Sequence, residues 1–216
     1  MAENDSHITL PAAEFDSDYS IEKALRNRRS VRRYSASAMT LKELAQLLWA
    51  CQGISKEENW QLGNKDMQTN YRTAPSAGAL YPLEVYAMIN RVEGMEPGLY
   101  HYHPGPGTEK HSLELLHTED RADDLADAAL RQTFVTEAAA NIVIGGVVGR
   151  MAVKYGRRAR LYVVLEVGHA AQNLLLQAQS LNLGAVPIGA FLDEDVRRLI
   201  GEEVEPFYII TIGKIG

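Results

Sequence analysis

From Thr40 onward the apolar residues Leu41, Leu44, Leu47, Leu48 and Cys51 return every three or four positions, the repeat of one helix face. Thr40 offers a capping hydroxyl, Glu43 completes a capping box, and Gly53 marks the stop. A shorter helix is expected to begin near Ser20 and to run through IEKALRNRR. The pattern then changes. Residues 55–72 are rich in Asn, Gln, Lys and Glu without a sustained period, and they read as a loop. Strand-like segments follow at 84–90, 98–103 and 112–117, with HPGPGTEK, including Gly105 and Gly107, as the turn before the last. Helices are expected from Asp120 through 130 and over 133–140, then a buried strand, NIVIGGVV, at 141–148.

A long helix is expected over 158–181. Leu161, Val164, Leu165, Gly168, Ala171, Leu175, Ala178 and Leu181 form an apolar face that Leu174 and Leu176 widen. A helix apolar on most sides is buried, in a large core or between subunits. Gly168, Ala170 and Ala171 would admit a second helix closely. A short strand at 185–191, a helix at 193–200 with Asp193 as its cap, and a closing strand, PFYIITIGK, complete the chain. Hairpin-like strands with helices before and after them predict an α+β fold. A single domain is expected over 20–216, preceded by a loose N-terminal arm at 1–19.

Composition narrows the function. The chain has 216 residues, 46% of them hydrophobic and 23% charged, which is ordinary for a globular domain. A net charge of −6 argues against general nucleic-acid binding. The one cysteine, Cys51, excludes an internal disulfide framework and reads as a buried thiol. The acidic start, MAENDSHITLPAAEF, has no apolar core of a signal peptide, and the polar breaks within 161–181 speak against a bilayer span. The expected location is the cytoplasm, with no membrane partner.

Five arginines crowd into RNRRSVRR at 26–33. Such a cluster either binds an anion such as phosphate, through bidentate guanidinium contacts, or ends a helix in solvent. PSAG at 75–78 is bare of charge and bulk, so it is either a turn or a wall that lets backbone approach a flat ligand. AVPIGAF at 185–191 has the same character around Gly189. GGVVG at 145–149 lacks the spacing of a dinucleotide fingerprint. HYH puts His101 and His103 on one strand face, a pattern open to a metal ion, although no carboxylate or cysteine partner is evident.

Taken in order, RRSVRRY (28–34), LLWACQGIS (47–55), TAPSAGALYPLEVY (73–86), GHAAQNLLLQAQSLNLG (168–184) and VPIGAF (186–191) resemble the nitroreductase family of FMN-dependent oxidoreductases. PSAGALYP and KYGRRARLYVVLEVGHAAQN (154–173) are most similar to its SagB-type dehydrogenase branch, which includes oxidases that aromatise azoline rings in ribosomal peptides. The resemblance implies a nitroreductase-like, mainly antiparallel mixed sheet flanked by helices, in an intertwined homodimer with FMN at the interface. It implies that Arg28, Arg29, Ser30 and Arg32 hold the phosphate and ribityl chain, with Lys214 as a further phosphate contact. Pro75, Ser76, Ala77 and Gly78 would line the isoalloxazine ring of the other subunit's site. Ile188, Gly189 and Ala190 would cover the opposite face, with the Gly189 N–H toward N5. Lys154 and Tyr155 match a Lys-Tyr pair that assists proton removal in the azoline oxidases; the bland alternative is the start of a helix. The expected activity is hydride transfer to or from a small organic or peptide-azoline substrate, with NAD(P)H as candidate electron donor. A non-catalytic flavin-binding protein and a flavin-consuming enzyme on the same fold are the alternatives.

Overall fold

The computed structural model describes residues 7–62, 65–105, 110–118 and 121–216. In chain order the elements are β1 (His7–Thr9), α1 (Ile21–Asn27), α2 (Leu41–Gln52), β2 (Ile54–Leu62), β3 (Lys65–Arg72), β4 (Leu83–Ile89), β5 (Gly98–His103), β6 (Ser112–His117), α3 (Ala122–Ala128), α4 (Phe134–Glu137), β7 (Ala140–Gly146), α5 (Val148–Tyr155), α6 (Ala159–Ser180), β8 (Leu183–Ile188), α7 (Asp193–Ile200) and β9 (Glu205–Lys214). Seven strands form one sheet in the order β1-β6-β5-β4-β7-β9-β8, and every neighbouring pair is antiparallel.

Successive strand residues point to opposite faces, and both faces of the central strands are covered. Val85, Ala87, Tyr100, Ile142 and Ile210 pack with α2 and α6. Tyr86, Met88, Leu99, Val143 and Ile209 pack with α3 and α7 on the other side. Double coverage is why these strands read as continuous apolar runs rather than an alternation. The capping box on α2 forms as expected: Thr40 Oγ1 accepts from the Glu43 N–H at 3.2 Å and Glu43 Oε2 accepts from the Thr40 N–H at 2.8 Å. Cys51 is fully buried, and burial pushes its thiol up to about 12.

Several expectations are corrected. The 55–72 loop is a hairpin, β2 against β3. It escapes the binary pattern because polar pairs cross it: Trp60 Nε1 donates to Thr69 Oγ1 at 2.9 Å, and the Tyr71 hydroxyl donates to Glu58 Oε2 at 2.7 Å. The N-terminal arm is not loose over its described part. β1 pairs with β6, Leu10 is buried, and the Gln46 amide clasps the backbone N–H and C=O of Glu14. The first helix stops at Asn27, before most of the arginines. α4 is one turn, because Ala140 already belongs to β7. The strand expected at 141–148 ends at Gly146, and Val148–Tyr155 is helical, so Lys154 and Tyr155 close α5 rather than open a helix. Leu192, not Asp193, caps α7. Gly107 and Asp120 lie outside the described residues.

The long helix α6 faces the core with Val163, Val167, Ala170, Ala171, Leu174 and Ala178. Of the expected apolar face, Leu161, Val164 and Leu165 are exposed in the single chain. The helix is therefore apolar on two sides, one against the sheet and one outward.

Candidate functional site

Beyond α1, the arginine segment leaves the helix and lies against the start of β8. Ser30 forms a parallel bridge with Ala185, and the Val31 N–H donates to the Ala185 carbonyl at 3.0 Å. A Cβ on Gly184 would sit 2.7 Å from Val31 Cγ1, so glycine is what lets Val31 seat there. Tyr34 then packs over Gly213, and its hydroxyl lies 2.6 Å from Thr211 Oγ1. With Val31 and Tyr34 as anchors, Arg32 and Arg33 between them and Arg29 and Ser30 before them stay exposed, and Arg28 is half-buried. The Arg29 guanidinium donates to the carbonyls of Arg26 and Arg28, at 2.9 and 2.8 Å. The Arg32 guanidinium stands 6.0 Å from the Phe134 ring centre. None of the five arginines has a carboxylate partner among the described residues, in a chain of net charge −6. Arg26 lies in the last turn of α1, Arg28 is its C-cap and Arg29 donates to the carbonyls of both, so the helix-end reading fits these three, while Arg32 and Arg33 lie beyond the helix.

Lys214 stands beside this segment, its carbonyl accepting from the Ser35 N–H at 2.9 Å. Its ammonium is 2.5 Å from Glu43 Oε1. Burial pushes the Glu43 carboxyl up, but hydrogen bonds from Lys214 and Thr40 outweigh it and hold that carboxyl below its ordinary value. The expected phosphate contact is thus engaged with the capping acid of α2. At the far end of β8, Ile188 is buried while Gly189 and Ala190 are exposed.

The second group surrounds the segment before β4. Gly78 has φ 65°, and Ala79 and Tyr81 are also left-handed, at 53° and 45°. Such positions cost non-glycine residues energy and persist where surroundings enforce them. Here Ser76 enforces the turn: its carbonyl accepts from the Ala79 N–H at 3.1 Å and its Oγ from the Tyr81 N–H at 3.0 Å. Asn173 of α6 donates to the Thr73 carbonyl at 3.2 Å and pins the segment from below. A Cβ on Gly78 would lie 2.8 Å from both Lys154 Nζ and the Tyr155 hydroxyl. The structure thus brings Lys154 and Tyr155 directly onto the PSAG turn. Pro75, Gly78 and Lys154 are exposed, and Ser76, Ala77 and Tyr155 are half-buried. No hydrogen bond or ion pair among the described residues joins this group to the arginine segment.

Glu166, read in the sequence only as a polar break in α6, lies beneath the same turn. It is 2% exposed, and Oε1 accepts from Gln52 Nε2 at 3.4 Å. Burial lifts its carboxyl to about 7, against hydrogen bonds from Ser76 and Gln52 and the Arg72 charge, which pull the other way. Glu166 Oε2 and Gln52 Oε1 have no partner, and a proton retained on Glu166 gives both atoms something to bond. The Ser76 hydroxyl, expected as a polar contact to a ligand ring, is thus engaged inward. The signal that could have exposed Glu166 was its isolation: it is the one acid in the 22 residues of α6.

An antiparallel sheet covered on both faces by helices is the architecture of the nitroreductase fold. The chain belongs to the nitroreductase family, whose model matches residues 25–214. It is 38% identical over 207 residues to MJ1384 of Methanocaldococcus jannaschii, a protein named as a nitroreductase, covering 96% of each chain. A nitroreductase structure from Ralstonia eutropha JMP134 superposes with TM-score 0.78 at 27% identity, over 100% of this chain and 92% of that one. One from Anabaena variabilis also gives 0.78, at 26% identity, over 99% of this chain; this chain spans only 43% of that longer one. The fold alone is shared with a Desulfovibrio desulfuricans nitroreductase solved with FMN (TM-score 0.59, 20% identity, 93% and 88% covered) and with the Escherichia coli microcin synthetase complex carrying truncated pro-MccB17 (TM-score 0.67, 20% identity, 94% and 76% covered). Among the described residues, no helix is long and apolar enough to cross a membrane.

Proposed function

We propose that the protein is an FMN-dependent oxidoreductase, acting as a homodimer on a small organic or peptide-azoline substrate in the manner of the SagB-type dehydrogenases. The observation that carries this reading is the row of arginines without a carboxylate partner among the described residues, on either side of the Ser30 bridge to β8, whose far end presents Gly189. From Ala185 to Gly189 an extended strand rises roughly 13 Å, a span suited to a mononucleotide lying along it. The residues fit FMN: Arg28, Arg29, Ser30 and Arg32 supply donors for a phosphate, and the exposed Gly189 and Ala190 offer backbone without bulk. The Desulfovibrio relative holds FMN in its own structure.

When bound, FMN supplies hydride acceptance and donation at N5. The chain's own residues do the rest. The Pro75–Gly78 turn gives a flat wall of methyl and backbone groups, which supports a planar ligand and keeps water from it. We assign this wall to the partner subunit's site, because one chain does not join it to its own arginines. Lys154 and Tyr155 stand over Gly78, where an ammonium and a phenol can hold or move a substrate proton. Lys154 is exposed in the single chain, so the desolvation a basic amine requires comes from substrate and partner. The peptide-azoline class is supported by the motif likeness at 154–173 and by the shared fold of the microcin synthetase complex.

The test is flavin retention followed by anaerobic reduction. Purified protein should carry FMN, and Arg32→Ala should lower the bound fraction at least tenfold more than Arg26→Ala; equal retention removes the phosphate assignment. NAD(P)H or an azoline donor should bleach the flavin. Bound FMN that no donor reduces identifies a flavin carrier, and loss of the flavin under aerated, reducing conditions identifies a flavin-consuming enzyme.

A further inference from the structure

We propose a divalent transition-metal site, separate from the flavin site, formed by His101, His103 and Glu114 on the sheet face opposite α2 and α6. The sequence shows the two histidines on one strand face with no acidic partner; the sheet supplies one. Glu114 on β6 is in register with His101 on β5, and His7 on β1 is in register with Glu114. His7, Glu114 and His101 thus form one row across three strands, with His103 in the adjoining row. The ligand atoms of His101, His103 and Glu114 lie within 4.8 Å of one another. A tetrahedral zinc ion with bonds of about 2.1 Å holds its ligands about 3.4 Å apart, so modest side-chain rotations close the site without moving the backbone.

The surroundings match a metal centre beyond the donor count. His103 Nε2 and Glu114 Oε2 already converge at 2.8 Å. His101 Nε2 meets Glu84 Oε2 at 2.9 Å, and its ring stacks on Tyr86 with centres 4.7 Å apart. Glu84 is itself fixed by Arg150 at 2.6 Å. A carboxylate holding one ring nitrogen leaves the other for an ion and sets the ring's orientation, the usual outer-sphere arrangement around a ligating histidine. The His7 ring lies beside the site, its centre 5.5 Å from that of His103. His101 and Glu114 are part-exposed, so an ion can enter from solvent. Two imidazoles and one carboxylate select zinc, cobalt, nickel or copper over magnesium or calcium, which prefer oxygen.

The experiment is titration of the untagged full chain with Co2+, followed by visible absorption, and competition with Zn2+. One equivalent should bind with intense tetrahedral bands. His103→Ala and Glu114→Gln should each weaken binding at least tenfold, and His7→Ala less, with flavin content unchanged. Wild-type binding no tighter than that of a His103→Ala/Glu114→Gln double variant overturns the site. X-ray absorption of the zinc-loaded wild type, which needs no variant to fold, should show at least two imidazoles around the ion; one or none also overturns it. Because flavin content is read in the same samples, failure here is distinct from failure of the oxidoreductase reading.

Discussion

Gly78 is the residue on which the second half of the site turns. Its φ of 65° is left-handed, and two reactive side chains crowd the space a Cβ would need. Gly78→Val should therefore destabilise the fold by about 1–2 kcal/mol, or roughly 2–8 °C in Tm at this chain length, and displace Lys154 and Tyr155. Calorimetry and flavin content check both. Glu166 gives a pH signature. Its carboxyl keeps its proton in the folded chain up to about 7 but releases it near 4.5 when unfolded. Between those values the native state binds more protons than the unfolded one, so stability falls as pH rises. The contribution is whole below 4.5 and lost above 7. Glu166→Gln stays neutral throughout. Its stability relative to wild type should rise across that window, by up to about 3 kcal/mol at pH 8, as followed by denaturant unfolding at several pH values. A parallel offset at all pH values would deny Glu166 the role.

At the scale of elements, α6 explains how one helix serves two surfaces. Val163, Val167, Ala170 and Leu174 meet the sheet, while Leu161, Val164 and Leu165 stay exposed on the opposite side. Large apolar side chains grouped on one exposed helix face mark an association surface. On the proposed homodimer, Leu165→Glu should shift the chain to monomer, seen by sedimentation velocity, and release FMN with it. A dimer that survives the substitution moves the interface elsewhere. The β2–β3 hairpin teaches the opposite lesson about legibility. Its polar strands concealed it, because neither face is pressed into the main core.

For the whole molecule, the proposed arrangement divides each site between two chains, and this is testable by complementation. Arg32→Ala breaks the phosphate half and Gly78→Val the ring-facing half. Each variant alone should lose FMN. Random reassortment of an equal mixture makes half the dimers mixed, each with one intact site of two, so FMN binding should recover to about one quarter of wild type. No recovery would place both halves in a single chain. The fold itself was legible: the α2 capping box, the 158–181 helix and the central strands appear close to where periodicity puts them. The candidate site was legible only as motifs, since RRSVRR, PSAG, KY and VPIGA are runs of local sequence.

The sequence alone singled out the segments proposed to carry chemistry, because side-chain type, turn residues and hydrophobic spacing are local properties. Tertiary structure decided what those segments face. Only the folded chain buries Glu166 under Ser76, turns Lys214 toward Glu43, lays Lys154 and Tyr155 on Gly78, and lines up His7, Glu114 and His101 across three strands. Those relations join residues up to 171 positions apart, and such distances are set by strand register and helix packing, which no local pattern encodes.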